Sequence, residues 1–215
     1  MNKSNETPQL HSSKRLLIIF TRNPELGKCK TRLAATVGHE AALEIYVFLL
    51  KHTVKVTENL NVTKQVHYSY KIHHNDLWPE AVFDKKQQSG TDLGERMHHA
   101  FKQGFESGYK QIIIIGSDLY DLNQAELSQA FDALDDRDYV IGPAEDGGYY
   151  LLGMQQLNPA LFQNKNWGTS SVLKDTLSIL ENENVALLPQ KNDVDYYEDI
   201  QDIEVFQQFL THLDR

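Results

Sequence analysis

Four consecutive isoleucines at positions 112–115, closed by Gly116, constrain this chain more than any other stretch. The run is too short for a helix core and too uniformly apolar for a strand with one wet face, so it reads as a strand buried on both sides. Such strands sit centrally in parallel sheets covered by helices, and ligands of open α/β sheets bind beyond the carboxyl ends of the strands. Ser117 and Asp118 stand at that edge. An aspartate there can hold a ligand, or it can merely begin a turn or cap the next helix.

The rest of the chain repeats the theme. Residues 16–20 form a second fully apolar strand candidate, and helical spacing of apolar residues predicts helices over residues 40–60 and 92–107. Asn123, with Glu126 three positions on, predicts a capped helix to about residue 134. Strands are expected at 62–70, 81–84, 139–141, 149–152 and 185–188, a helix from Thr169 or Ser170 to Leu180, and a last helix over 197–210. The resulting order, βαβ(β)αβαββαβα, predicts a three-layer α/β/α fold with a mixed, mostly parallel sheet. Residues 1–13 lack periodicity and read as a loose tail, leaving 14–215 as one domain.

Composition narrows the function. Thirty acidic residues against 21 Lys plus Arg give a net charge of −9, which argues against a nucleic-acid or anionic-membrane surface. The single Cys29 excludes an internal disulfide framework and a multi-cysteine zinc site. The polar first fourteen residues carry no apolar core of signal-peptide length, and no apolar run could span a bilayer, so a cytoplasmic protein is expected.

Against that acidic background, the loop after the first strand reverses sign, with Arg22, Lys28, Lys30 and Arg32 against only Glu25. Gly27 permits close backbone approach, and Lys and Arg neutralise phosphate oxygens, so the loop suits a polyphosphate; a solvated basic loop is the plainer alternative. It is no Walker P-loop, because Arg22 and Cys29 stand where that motif needs Gly and Ser or Thr. Asp118 is a natural magnesium carboxylate, and Asp193 and Asp195 are candidates for a second. Glu198 and Asp199 read as acids favoured by a helix start. Gly147-Gly148, with Glu145, Asp146 and Tyr149 around it, is either a plain tight turn or a ligand contact. Cys29 between two lysines could be a nucleophile, though no partner His is identifiable; His73-His74 and His98-His99 lack zinc spacing.

Together these segments resemble the radical-SAM/selenodomain-associated transferase family of the glycosyltransferase-A (GT-A) superfamily. The resemblance is carried by Arg22, Pro24, Gly27, Lys30, Thr31, Arg32 and Leu33, by 92–97, and by Gly116, Ser117, Asp118 and Leu122. It continues through 142–151, Trp167, Thr169 and Ser170, and Asp193, Val194, Asp195 and Asp199. It spans about residues 15–205 and departs at Arg22 for Lys, Tyr120 for Pro, and Tyr196-Tyr197 for Thr-Pro.

The resemblance implies a nucleotide-diphospho-sugar transferase fold, shared with guanylyltransferases of molybdenum-cofactor and phospholactate metabolism. It implies a nucleotide or nucleotide-sugar substrate, with Thr21, Arg22, Gly27, Lys28, Lys30 and Arg32 at the phosphates and Gln88, Gly90, Asp92 and Arg96 near base and ribose. Asp118 and Asp195 would hold Mg2+ or Mn2+; Asp118, Lys30 and Asp146 would be catalytic. Glu145, Asp146, Gly147, Gly148, Tyr149 and Trp167 would face a small-molecule acceptor. Glycosyl and nucleotidyl transfer both remain open, as does a non-catalytic nucleotide-binding or scaffold role.

Overall fold

The computed structural model describes residues 14–213, so the tail expected over 1–13 lies outside the described residues. Seven strands form one sheet in the order β3-β2-β1-β4-β6-β5-β7. They are β1 (Arg15–Thr21), β2 (Thr63–Tyr68), β3 (Asp84–Gln87), β4 (Gln111–Ile115), β5 (Tyr139–Pro143), β6 (Tyr149–Met154) and β7 (Val185–Leu187). All pairings are parallel except those of β6, which runs antiparallel to both its neighbours.

Strand periodicity explains the layers. In β1, Leu17 and Ile19 join Ile113 and Ile115 of β4 under two helices, α2 (His39–Thr57) and α4 (Gln124–Asp136). Leu16 and Ile18 join Ile112 and Ile114 on the other face, under α3 (Leu93–Glu106) and α5 (Val172–Ile179). A strand covered on both faces has no wet side on which to alternate polar residues, which is why β4 is a bare isoleucine run. The chain builds outward from β1 to β3 and then returns to lay β4 on the opposite side of β1. Strand order reverses there, and the loops after β1 and β4 flank the resulting crevice.

Three elements differ from expectation. A helix α1 (Thr31–Val37) follows the basic loop, too short at 7 residues to carry a periodic signal. β3 starts at Asp84 because Val82 and Phe83 donate to the Pro79 carbonyl in a turn that seats Phe83 against Trp78. The helix expected over 197–210 is instead two 3-10 segments, Tyr197–Asp199 and Glu204–Phe209. There Asp199 turns its carboxylate back onto the amides of Asp195 and Tyr196, 2.8 and 2.6 Å away, and i to i+3 bonds follow at Ile200, Ile203 and Phe206. Among the described residues, no helix is long and apolar enough to cross a membrane.

Candidate active site

The basic loop after β1 closes on itself. Lys28 pairs with Glu25 at 2.6 Å, its side chain 72% exposed, and Gly27 takes a left-handed turn with φ of 73°; neither lines the cavities beside Asp118. Arg22 braces the loop from within by donating to the Lys28 carbonyl at 3.2 Å. Its backbone is clamped by the Tyr46 hydroxyl, which accepts from the Arg22 amide at 2.9 Å and donates to its carbonyl at 3.0 Å. Burial pushes the Tyr46 phenol up, so it stays protonated. Helical spacing in α2 hid this role by making Tyr46 look like one more core residue.

Lys30 sits at the start of α1 in a left-handed conformation, φ 47° and ψ 47°, that non-glycine residues adopt only where tertiary contacts impose it. Its ammonium lies 2.8 Å from Asp118 and 2.9 Å from Asp195. Burial alone would lower its pKa, but the two carboxylates outweigh that and hold it above the ordinary lysine value. Arg32 takes the other oxygen of Asp195 at 2.9 Å and lies 5.5 Å over the Tyr196 ring.

Asp118, Asp193 and Asp195 each offer an oxygen, all within 4.8 Å of one another. The tertiary structure assembles the three by extending the 189–195 segment beside β5. Lys191 donates its amide to the Pro143 carbonyl and accepts from Glu145, and Val194 donates to the Asp118 carbonyl at 3.2 Å. The buried Lys191 ammonium reaches Glu126 at 3.0 Å and the Asp121 carbonyl at 2.8 Å, tying the loop after β4 to this segment. Burial, then Asp118 and Asp195, push the Asp193 carboxyl up to about 6. A set of oxygen donors alone is what Mg2+ or Mn2+ prefers, so the residues fit such an ion.

Two cavities meet at Asp118. The larger, about 680 Å3, runs along Thr21, Arg22, Lys30 and Arg32 to Gln88, Asp92 and Arg96. Gln88 donates to the His67 carbonyl at 2.8 Å and accepts from Arg96, which also holds the Gly90 carbonyl. Gly90 thus shapes this end without lining it. The smaller cavity, about 190 Å3, shares Leu93, Gly116 and Asp118 with the first and contains Asp146, Gly148, Tyr149 and Trp167. Glu145 and Gly147 lie outside it. Gly147 is required because a Cβ there would fall 2.4 Å from the Ser170 carbonyl oxygen. Asp146 accepts from the Gly148 amide at 2.8 Å.

Cys29 is buried at 3% exposure with its thiol on the Glu25 carbonyl, and burial raises its pKa, the opposite of what an activated nucleophile requires. His74 pairs with Glu80, and His99 lies against the Ser89 carbonyl.

Two consequences are measurable. Trp167 packs against the first turn of α3, where a Cβ on Gly94 would lie 2.5 Å from its indole nitrogen and 2.7 Å from the Phe162 carbonyl. Gly94→Ala should therefore cost about 1–3 kcal/mol in urea denaturation and shift the tryptophan emission; unchanged emission would contradict this packing.

His67, beneath the large cavity, stacks on Phe20 at 5.7 Å. Burial, then Lys86, lowers its imidazole from 6.5 to about 4. The unfolded chain binds that proton near pH 6.5 and the folded chain only near 4, so this group's contribution to stability falls as pH drops through the window. Asp193, raised in the native state, pulls the opposite way, so the measurement must be a difference between proteins. His67→Leu should lessen the acid-driven loss of unfolding free energy between pH 6.5 and 4 by about 3 kcal/mol relative to wild type. Parallel pH curves would refute it.

The profile of a family described as "Uncharacterized protein conserved in bacteria (DUF2064)" matches residues 51–169. No curated protein matches the sequence. Among solved structures, a Desulfovibrio desulfuricans G20 protein, assigned as a nucleotide-diphospho-sugar transferase, is 29% identical with a TM-score of 0.82, covering 94% of this chain and 96% of that one. A cytidylyltransferase from Leptospira borgpetersenii is 13% identical with a TM-score of 0.57, covering 94% of each chain. Rv0371c from Mycobacterium tuberculosis H37Rv, in complex with manganese, is 12% identical with a TM-score of 0.56, covering 93% of this chain and 99% of that one. The last two share the fold alone. The mixed, mostly parallel seven-stranded sheet with helices is that of nucleotide-diphospho-sugar transferases and cytidylyltransferases.

Proposed function

The chain belongs to the DUF2064 family, and we propose that it is a divalent-metal-dependent transferase acting on an activated nucleotide, either a nucleotide sugar or a nucleoside triphosphate. One observation carries the reading. Asp118, at the end of the central strand, lies in both cavities and within a cluster of three carboxylates and a lysine. The similarity to an assigned nucleotide-diphospho-sugar transferase supports it, and the radical-SAM-associated transferase resemblance belongs to the same reading.

In this reading Asp118, Asp193 and Asp195 hold the ion, which when bound supplies charge neutralisation at the diphosphate. Lys30 and Arg32, in contact with these carboxylates, and Arg22 line the same cavity and would face the phosphates, where fixed cations stabilise negative charge developing on the leaving group. Gln88, Asp92 and Arg96 line the end that would receive base and ribose. Asp146, across Asp118 in the smaller cavity, orients the acceptor.

The test is thermal stabilisation by nucleoside triphosphates and nucleotide sugars, with and without Mn2+. Stabilisation that requires both nucleotide and metal, and that Asp118→Asn removes, is expected. Metal-independent binding without turnover would favour a scaffold role.

A further inference from the structure

We propose that Tyr46 is a positioning residue for the polyphosphate: its hydroxyl fixes the Arg22 peptide and, through Ser117, ties the phosphate loop to the loop that carries Asp118. The inference rests on reading the larger cavity as the nucleotide site. It concerns a side chain that acts on the ligand through another.

The pairing of β1 with β4 ends at Ile19 and Ile115, two residues short of Thr21 and Ser117. There the floor of the crevice is made of hydroxyls. Thr21, Tyr46 and Ser117 are each 3% exposed; Ser117 Oγ donates to Thr21 Oγ1 at 3.2 Å, and Tyr46 Oη lies 3.4 Å from both. Tyr46 Oη also takes both polar groups of the Arg22 main chain, the amide at 2.9 Å and the carbonyl at 3.0 Å. Those two bonds are close to the usual lengths, whereas 3.4 Å is long for a hydroxyl pair, so Arg22 is the residue gripped and Ser117 the looser footing.

A phenol has one proton to donate. Tyr46 gives it to the Arg22 carbonyl and so has none for a phosphate oxygen, which leaves Arg22 as the group through which it acts. The Arg22 side chain lines the cavity together with Lys30 and Arg32, and its guanidinium is held by the Lys28 carbonyl at 3.2 Å. A side chain ordered in advance loses less freedom when it meets its ligand. Ser117 directly precedes Asp118, so the phosphate loop and the metal carboxylate share one floor. The loop has a separate anchor on the β2 side. Asn23, also 3% exposed, donates to the Lys71 carbonyl at 2.8 Å and accepts from the Tyr70 and Lys71 amides at 3.1 and 3.3 Å. Without the Tyr46 hydroxyl the loop therefore keeps its course, and what is lost is the setting of Arg22 against Asp118.

Calorimetry of the full chain at saturating Mn2+ tests this, with inorganic pyrophosphate and the triphosphates of adenosine, guanosine, cytidine and uridine as probes. Tyr46→Phe keeps the ring in the core and removes only the hydroxyl; it should bind pyrophosphate about tenfold less tightly. Its Mn2+ affinity without phosphate, read by electron paramagnetic resonance, should hold, which also shows that the variant folds. Arg22→Ala should weaken pyrophosphate binding too, and Tyr46→Phe added to it should cost nothing further, because one residue acts through the other. A phenol that served packing alone would lower the melting temperature when changed and leave pyrophosphate affinity as it was. Ser117→Ala leaves the grip on Arg22 in place and should weaken Mn2+-dependent pyrophosphate binding about threefold; unchanged affinity would overturn the link to Asp118. Wild-type affinity in Tyr46→Phe, or losses that multiply in the double variant, would overturn the proposal and leave the nucleotide reading standing. If the wild type binds neither pyrophosphate nor any triphosphate, both fall.

Discussion

Lys30→Met should make the protein bind Mn2+ more tightly in the absence of nucleotide while abolishing turnover. The wild-type ammonium already bridges Asp118 and Asp195 at 2.8 and 2.9 Å with its side chain 5% exposed, so it occupies the electrostatic position a divalent ion would take. An ion arriving alone meets that charge; an ion arriving with a polyphosphate gives Lys30 a new anionic partner. Metal and nucleotide should therefore bind cooperatively in the wild type, and reciprocally so. Removing the ammonium should raise Mn2+ affinity without nucleotide by about tenfold, the scale of an ordinary coupling between sites.

The same substitution takes the buried cation away from two carboxylates, Asp118 and Asp195. Loss of one partner of a buried pair costs about 3–5 kcal/mol, which partial exposure of the acids, 36% for Asp118 and 33% for Asp195, reduces to about 2 kcal/mol at pH 7. Added Mn2+ should restore that stability. Electron paramagnetic resonance titration of free Mn2+, with thermal melts in parallel, measures both. Equal Mn2+ affinity in variant and wild type would remove Lys30 from this role.

Asp118→Asn should lower kcat/KM by about a thousandfold or more, comparable with the loss of one group stabilising charge in a transition state. The change keeps the shape of the side chain and removes its charge where the two cavities join. The fold should survive, since Lys30 keeps Asp195 and the Asp118 carbonyl still accepts from Val194. Mn2+-dependent stabilisation should disappear. Turnover within tenfold of wild type, in a variant that no longer binds the ion, would show that the metal is not needed.

The positions that depart from the pattern of the transferase family the sequence resembles find structural roles. Tyr120 packs its ring against Phe48, His52 and Phe206, between 5.0 and 5.8 Å away, and anchors the C-terminal 3-10 segments to α2. Tyr196 lies beneath Arg32, the residue that grips Asp195. Arg22 in place of Lys lets one side chain reach a loop carbonyl while still lining the cavity.

Much of the fold was legible in the chain because its signals are local. Both buried strands follow from unbroken apolar runs, and the Asn123–Glu126 capping box is present, each side chain bonding the other's backbone amide. The basic loop, Asp118 and the Asp146 turn were likewise marked by residue type. The C-terminal segment misled, since helical spacing could not show that Asp199 would spend its carboxylate on two amides N-terminal to it. The membership of the site was decided only in three dimensions. Lys30 meets Asp118 and Asp195 across 88 and 165 positions of sequence, and Tyr46 clamps Arg22 from 24 residues away. Asp193 joins the carboxylates because Lys191 and Val194 carry its segment to the end of β4. Local propensity sets which residues form strands, helices and turns; which charges face one another is set by packing, as the sheet brings distant loops to one edge.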